Sequence, residues 1–298
     1  MHWTLKKVFS FLFLSMLATS LFAFGARALW LKRINARSLD PHYQIHTIVQ
    51  RGTEKEALKT DYLAELLSLS KDHPISIYCF DSKKAKEALL SSPLICEAEV
   101  KKEFPDAVLI DYEVRWPIAK ITDYENIAID SECYLFPLAP FFSPKEIPEI
   151  YLGLPSFGAP QDLQGRAGGK WLEPLDNPYI HLALEILNSF EESPSREGIR
   201  IKRIDVSNAF APTLGQREIV LLTEEEFFLP QGGVATFPKL LRFSPKEYSQ
   251  QLASFFLLRR RMEADYRKQL PYLKGSIRFS PRIIDLRIPH LAFVENQA

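Results

Sequence analysis

Apolar positions follow different periods in different stretches, and the changes of period divide the chain. From Val8 to Ala26 the sequence is apolar and carries no charge. At 1.5 Å per residue that run spans about 28 Å, close to a hydrocarbon core of about 30 Å. Between Tyr43 and Val114 short alternating runs are interleaved with two helical stripes. From Ile118 alternation returns, a proline-rich stretch interrupts it, and a long helical stripe follows Pro245. This order predicts an α+β protein: an N-terminal transmembrane helix over 8–31, a β-α-α-β-β domain over 40–116, and a mixed β domain over 117–298 with a long helix near its end.

Within the first globular stretch, Tyr43 to Val49 alternates as a strand. Thr60 is placed to cap a helix carrying Leu63, Leu66, Leu67 and Leu69. Ile75 to Phe80 is an apolar run that could be extended. Asp81 or Ser82 caps a second helix whose Ala85, Ala88 and Leu89 share a face, and Ser91-Ser92-Pro93 stops it. Val100 to Phe104 and Val108 to Val114 read as a hairpin around Pro105-Asp106, where proline presets φ and aspartate bonds its own backbone. Val108, Ile110, Tyr112 and Val114 make the apolar face of the returning strand.

Beyond Trp116-Pro117, strands are expected at Ile118–Ile121, Ile127–Ile129 and Tyr134–Phe136, with a turn at Asp123–Asn126. Pro137 to Pro178 is dense in proline and glycine and reads as irregular. Asn177-Pro178 opens a helix with Ile180, Ala183, Leu184, Leu187 and Phe190 on one face. Strand-like runs follow at Gly198–Val206, with a phase slip that suggests a bulge, then at Glu218–Thr223 and Glu226–Leu229, with Glu224-Glu225 as a turn. Ser244-Pro245-Lys246-Glu247 has the form of a capping box with proline at the first helical position. The helix behind it aligns Tyr248, Leu252, Phe255, Met262, Tyr266 and Leu270. Arg259-Arg260-Arg261 point in three directions around it, which predicts a solvated face paired with carboxylates rather than a nucleic-acid patch. Phe-Ser-Pro-Lys-Glu recurs at Phe142–Glu146 with no repeat around it. Ser276–Phe279 and Arg282–Ile288 read as the closing strands.

Composition removes some functions. Lys and Arg total 37 and Asp and Glu total 37, so no net field draws a nucleic acid. Cys79, Cys96 and Cys133 follow no metal or redox spacing and read as small buried thiols. His42, His46 and His73 read as surface residues, and no metal or cofactor is expected. Gly165 to Trp171 only superficially suggests a phosphate loop, because its first glycine stands one residue too close and Trp171 occupies the Ser/Thr position. Signatures of hydrolases, zincins and dinucleotide-binding folds are missing. Asp205, Asp285 and His290 could form a trio only if the fold brought them together. A membrane-tethered hydrolase is thus the alternative enzyme reading, and an outer-membrane assembly factor is disfavoured by the long charged helix.

Several short motifs, in order, resemble the FtsQ/DivIB family of bacterial cell-division proteins. They are Phe104-Pro105-Asp106-Ala107-Val108-Leu109-Ile110, then Arg115-Trp116-Pro117-Ile118-Ala119, then Asp130 before Tyr134-Leu135-Phe136. Further on come Lys239-Leu-Leu-Arg242-Phe243 and Asp285-Leu286-Arg287, with Ile288 where the family carries an aromatic. The resemblance implies a POTRA domain joined to a β domain and a non-enzymatic scaffold of the division machinery. It also implies a single-pass protein of the cytoplasmic (inner) membrane, held in lipid through residues 8–31, with residues 1–7 as a cytoplasmic tail. Its partners would be other division membrane proteins, single-pass and polytopic, FtsB-, FtsL- and FtsW-like. Charge opposes that orientation, since Arg27, Lys32, Arg33 and Arg37 outnumber Lys6 and Lys7 across the span. Ala26-Arg27-Ala28 has the look of a cleavage site, but the length of the apolar run and its continuation through Leu29-Trp30-Leu31 favour a retained anchor.

A strand entered after a long helix and followed by a short tail is expected to leave one side unpaired. That singles out Ile283–Ile288 and the residues up to Val294 as an edge for a partner's extended segment, with Asp285, Arg287, Ile288 and Leu291 as the contact residues. Ile284, Leu286 and Ile288 would face the core.

Overall fold

The computed structural model describes residues 5–52, 56–70, 72, 74–153 and 172–295. Residues 154–171 of the proline-rich stretch, Gly165–Trp171 among them, and His73 lie outside that set. The chain forms two compact units, 1–114 and 115–298, dividing two residues before the expected 116/117 boundary.

The first unit opens with α1 (Leu5–Ser38), a helix long and apolar enough to cross a membrane. It outruns the 8–31 span by a turn or more at its far end, and there Arg37 donates to the Tyr78 hydroxyl at 3.2 Å. A short 3-10 turn occupies Pro41–Tyr43, so β1 is confined to Thr47–Arg51, shorter than the expected strand. Then come α2 (Thr60–Leu66), α3 (Ser82–Leu90), β2 (Ile95–Glu103) and β3 (Ala107–Val114). Thr60 is the first helical residue rather than the cap, and its hydroxyl accepts from Gln50 at 2.7 Å. Asp81 does cap α3, accepting from the amides of Lys83 and Lys84 at 3.0 and 3.3 Å. Ile75–Phe80 contributes one bridge, Ser76 to Gln44, before turning.

These strands form a sheet in the order β1-β3-β2, with β1 parallel and β2 antiparallel to the central β3. The hairpin at Phe104–Asp106 forms as its turn chemistry predicts, and β2 reaches further back than the apolar pattern suggested. Leu63, Ile77, Leu89, Leu94, Val108 and Ile110 are fully buried between helices and sheet. Tyr112, nearly as buried, accepts from the Leu58 amide at 2.9 Å and donates to Gln50 at 3.1 Å, so its hydroxyl is satisfied where burial would otherwise penalise it.

The second unit begins at a clamp. Arg115 bonds Asp130 at 2.7 Å and lies over the Tyr134 ring at 3.7 Å. Asp130 also accepts the amides of Glu132 and Tyr134 at 3.0 and 2.8 Å. The motif residues Arg115 and Asp130 therefore fix the entry to this unit. Its strands and helices are β4 (Ala119–Ile121), β5 (Ile127–Ile129), β6 (Leu135–Pro137), β7 (Glu149–Tyr151), α4 (Pro178–Glu191), β8 (Ile199–Asp205), β9 (Ile219–Phe228), β10 (Val234–Phe243), α5 (Tyr248–Gln269), β11 (Ile277–Arg278), β12 (Arg282–Asp285) and β13 (Phe293–Glu295). They build one mixed sheet in the order β13-β12-β10-β9-β8-β7-β4-β5-β6, with β11 also on β10. Among the described residues, β7 stands inside the stretch expected to be irregular.

Helices α4 and α5 share one continuous apolar core with the sheet. Asn177 caps α4, accepting from Tyr179 N–H at 2.8 Å, as its Asn-Pro start predicts. The stripe along α5 is buried as expected at Tyr248, Leu252, Phe255, Met262 and Tyr266. Its start differs. The helix begins at Tyr248, Glu247 makes no capping bond, and the Ser244 amide is satisfied at 2.8 Å by Gln251 from the next turn instead. Stacking of Phe237 on Tyr266 and Phe279, with centroids 4.0 and 4.5 Å apart, ties α5 to the far end of the sheet. The β9–β10 turn reaches the loop before β11 so closely that a Cβ at Gly233 would stand 2.6 Å from the Gly275 carbonyl carbon. Gly233 also has φ +105, so only glycine fits there.

Glu224-Glu225 is not a turn. β9 runs through it unbroken, paired with β10 from Ile219 to Phe228, whereas the bulge expected within Gly198–Val206 does form, on β8 between Ile201 and Arg203. The reason is chemical: both carboxylates meet cations, supplied by β10, β11 and α5. Glu225, fully buried, meets Lys239 and Arg259, while Glu224 meets Arg278. Arg259 is consequently not on a solvated face. It is buried, and its guanidinium also donates to the Glu197 carbonyl at 2.5 Å.

Candidate partner-binding edge

The last strands decide where a partner could add. Leu286 N–H donates to the Arg242 carbonyl at 2.9 Å, so the even-numbered residues of β12 bond β10. Alternation then turns Ile283 and Asp285 the other way, to Glu295 and Phe293 of β13. This corrects the expectation that β12 is the open edge: it has a neighbour on both sides. The described sheet ends at β13, whose Val294 is flanked by the two bonded pairs and therefore turns its N–H and C=O outward, away from β12.

The residues singled out from the sequence divide between support and surface. Asp285 sits on β12, part-buried, held by Arg287 at 2.7 Å and facing Arg242 at 3.5 Å. Arg242 and Arg287 reach Glu218 at 2.5 and 3.3 Å, so the four charges form a closed network beside the edge. Burial pushes the Asp285 carboxyl upward, but the bonds from Arg287 and the charge of Arg242 outweigh it and hold the group below its ordinary range. The Arg287 amide is used within this network, donating to Asp285 at 3.1 Å, and is not a ladder donor. Ile284 and Leu286 face the core as expected. Ile288 does not; past the end of β12 it is 50% exposed. Leu291, Phe293 and Val294 are 55%, 57% and 41% exposed, which makes an apolar strip along the open strand and the turn that leads into it. His290 carries that turn with φ +62, and Leu291 N–H closes it on the Ile288 carbonyl at 3.2 Å.

The Asp205, Asp285 and His290 trio does not converge. Asp205 pairs with Val220, Val220 with Arg242 and Arg242 with Asp285, which places the two carboxylates three strand spacings apart, about 14 Å. Asp205 is occupied locally, accepting from the Ser207 amide and hydroxyl at 3.0 and 2.6 Å. Among the described residues no group of three or more His, Cys, Asp or Glu side chains is placed to hold a metal. Of the three thiols expected to be buried, only Cys133 is; Cys79 is exposed and Cys96 half-buried, with the Cys96 thiol donating to the Glu113 carbonyl at 3.3 Å, and none of the three forms a disulfide.

Sequence reading missed the buried Lys239–Glu225–Arg259 cluster. Burial lowers the Lys239 ammonium from its ordinary pKa, and the attraction of Glu225 offsets only part of that. The signal was present: odd positions from Ile219 to Phe227 and from Ala235 to Phe243 alternate inward without a break, and Glu225 and Lys239 hold inward positions in both runs.

A strand, two helices and a hairpin, closed as a β1-β3-β2 sheet with the first strand parallel to the last, define the first unit as a POTRA-type domain. Residues 51–112 match the family model of the POTRA domain, FtsQ-type. The chain thus contains an FtsQ-type POTRA domain, in agreement with the FtsQ/DivIB likeness of its motifs, and the apolar α1 with that domain fits a single-pass membrane protein. Proteins built on this domain are generally non-enzymatic division proteins. No curated protein matches the chain.

Proposed function

We propose that this protein is a non-enzymatic, bitopic scaffold of the bacterial division machinery that links other division membrane proteins to septal peptidoglycan synthesis. Residues 8–31 hold it in the inner membrane, residues 1–7 stay in the cytoplasm, and both globular units lie outside it. Its partners are single-pass and polytopic division proteins of the FtsB, FtsL and FtsW kind, and one of them adds an extended segment to the edge at β13. The observation that carries this reading is the open strand: Val294 offers a backbone donor and acceptor outward, beside the exposed Ile288, Leu291 and Phe293. Main-chain bonds supply affinity at such an edge, and the apolar strip with the Asp285–Arg287 network chooses the partner. Arg242 opposes Val220 and Asp285, so a partner residue beside Phe293 meets a surface whose charges already balance.

Pull-down of the full-length protein in detergent tests this reading. Val294→Pro removes the outward donor, and we expect it to lose the captured division proteins, whereas Val294→Leu keeps them. Capture at wild-type strength by a folded Val294→Pro variant contradicts the edge. Turnover of cell-wall fragments by the purified protein, lost on a single substitution, contradicts the scaffold.

A further inference from the structure

The chain leaves α1 and enters the sheet of the first unit at one end. β1 and β3 run parallel and in register from Thr47 and Ala107, so the Phe104–Asp106 turn sits at the end by which the chain arrives from α1. The amides of His46 and Thr47 donate to the Asp106 carbonyl at 3.0 and 3.3 Å, and Ile77 N–H donates to the Tyr43 carbonyl at 2.8 Å. These bonds bring the stretches around Tyr43, Ile77 and Asp106 together there. A ladder of rings joins them to α1. The Arg37 guanidinium lies 5.8 Å from the centre of the Tyr43 ring and bonds the Tyr78 hydroxyl at 3.2 Å. Tyr43 meets Tyr78 edge-on at 5.2 Å, and Tyr78 meets Phe104 at 5.4 Å. The two tyrosines are half-buried, whereas Phe104 is 59% exposed and Leu39, the residue after α1, is 83% exposed.

We propose that this end of the first unit rests in the lipid headgroup layer of the leaflet from which α1 emerges, with Phe104 and Leu39 among the headgroups and the ring ladder holding them there. The inference rests on α1 crossing the membrane, as proposed above. The occupant is lipid because the surface continues the membrane span. Arg37 follows Leu31 by about 9 Å of helix. A headgroup layer is about 5–7 Å deep on each side of a core of about 30 Å, so Arg37 stands at its outer margin. A soluble partner seated on the same end would have to displace headgroups. The side chains suit the interface: tyrosine and arginine carry an apolar body and a polar tip, and rings concentrate at this depth. Leu39 and Phe104 bracket the ladder, so the exposed apolar groups occur at both of its ends.

The test reconstitutes the full-length protein in vesicles of phosphatidylethanolamine and phosphatidylglycerol. It carries p-benzoylphenylalanine in place of Phe104 and, in separate samples, in place of Phe22 within α1 or the exposed Asp111 further along β3. Irradiation followed by mass spectrometry reads the lipid adducts. Adducts are expected at 22 and 104 and not at 111, and Arg37→Met should lower the yield at 104 severalfold while leaving that at 22 unchanged. Lipid at 22 with none at 104 overturns this proposal and leaves the anchor standing. No lipid at 22 overturns the anchor reading and this inference with it. Products at 104 with protein alone, from this chain or a second copy, overturn the proposal, as do equal lipid yields at 104 and 111 or a yield at 104 that Arg37→Met leaves unchanged.

Discussion

Glu225 has its carboxylate fully buried and held between two cations, one of them the equally buried Lys239. Removing one member of such a cluster leaves uncompensated charge in the interior. Glu225→Ala should therefore lower stability by about 3–5 kcal/mol in urea unfolding, far more than loss of an exposed pair. A loss below about 1 kcal/mol would mean that water reaches the site. Asp285 is a gentler case. Its folded pKa is depressed, so its contribution is complete above the ordinary carboxylate range and disappears as pH falls through the lowered value. Asp285→Asn should cost about 1 kcal/mol at pH 7, and the gap from wild type should close on acidification below about pH 4. Tyr248 works at the other end of the scale. Burial, then its bond to Glu185, pushes its hydroxyl up to about 12. The folded state thus keeps a proton that the unfolded chain loses near pH 10, and stability contributed by Tyr248 falls as pH rises from there through its folded pKa. Tyr248→Phe should flatten the alkaline limb of the stability profile measured by thermal melts.

Elements whose local chemistry and tertiary packing agree were legible from the sequence. The Phe104–Asp106 hairpin, the Asp81 and Asn177 caps and the buried stripe of α5 stand where turn residues, side-chain acceptors and period place them. Elements decided by distant partners were not. Glu224-Glu225 looks like a turn until β10 and α5 supply Lys239 and Arg259, and β7 is held as a strand by its neighbours β4 and β8 more than by its own residues. Ser244 had the sequence of a cap, but Gln251 satisfies its amide and the helix starts later. Ser244→Ala should consequently change stability by less than about 0.5 kcal/mol, where loss of a working cap would cost about 1 kcal/mol. Equilibrium urea denaturation distinguishes the two.

Across the whole molecule, an apolar helix leads into an FtsQ-type POTRA domain and then into a mixed sheet with two helices on one face. The sequence pointed to Ile283–Ile288 as the open strand, but that strand is paired on both sides and the described sheet ends at β13, which is too short to stand out by alternation alone. Asp285 and Arg287 accordingly support the edge from behind, while Leu291 and Ile288 lie on its exposed approach. The most direct test is amide hydrogen exchange on the full-length protein, purified with its captured division partners and again after they are stripped away. The account predicts that residues 288–295 exchange more slowly in the complex, with the opposite sheet edge at Leu135–Pro137 unchanged. Equal exchange of residues 288–295 in both states would contradict it.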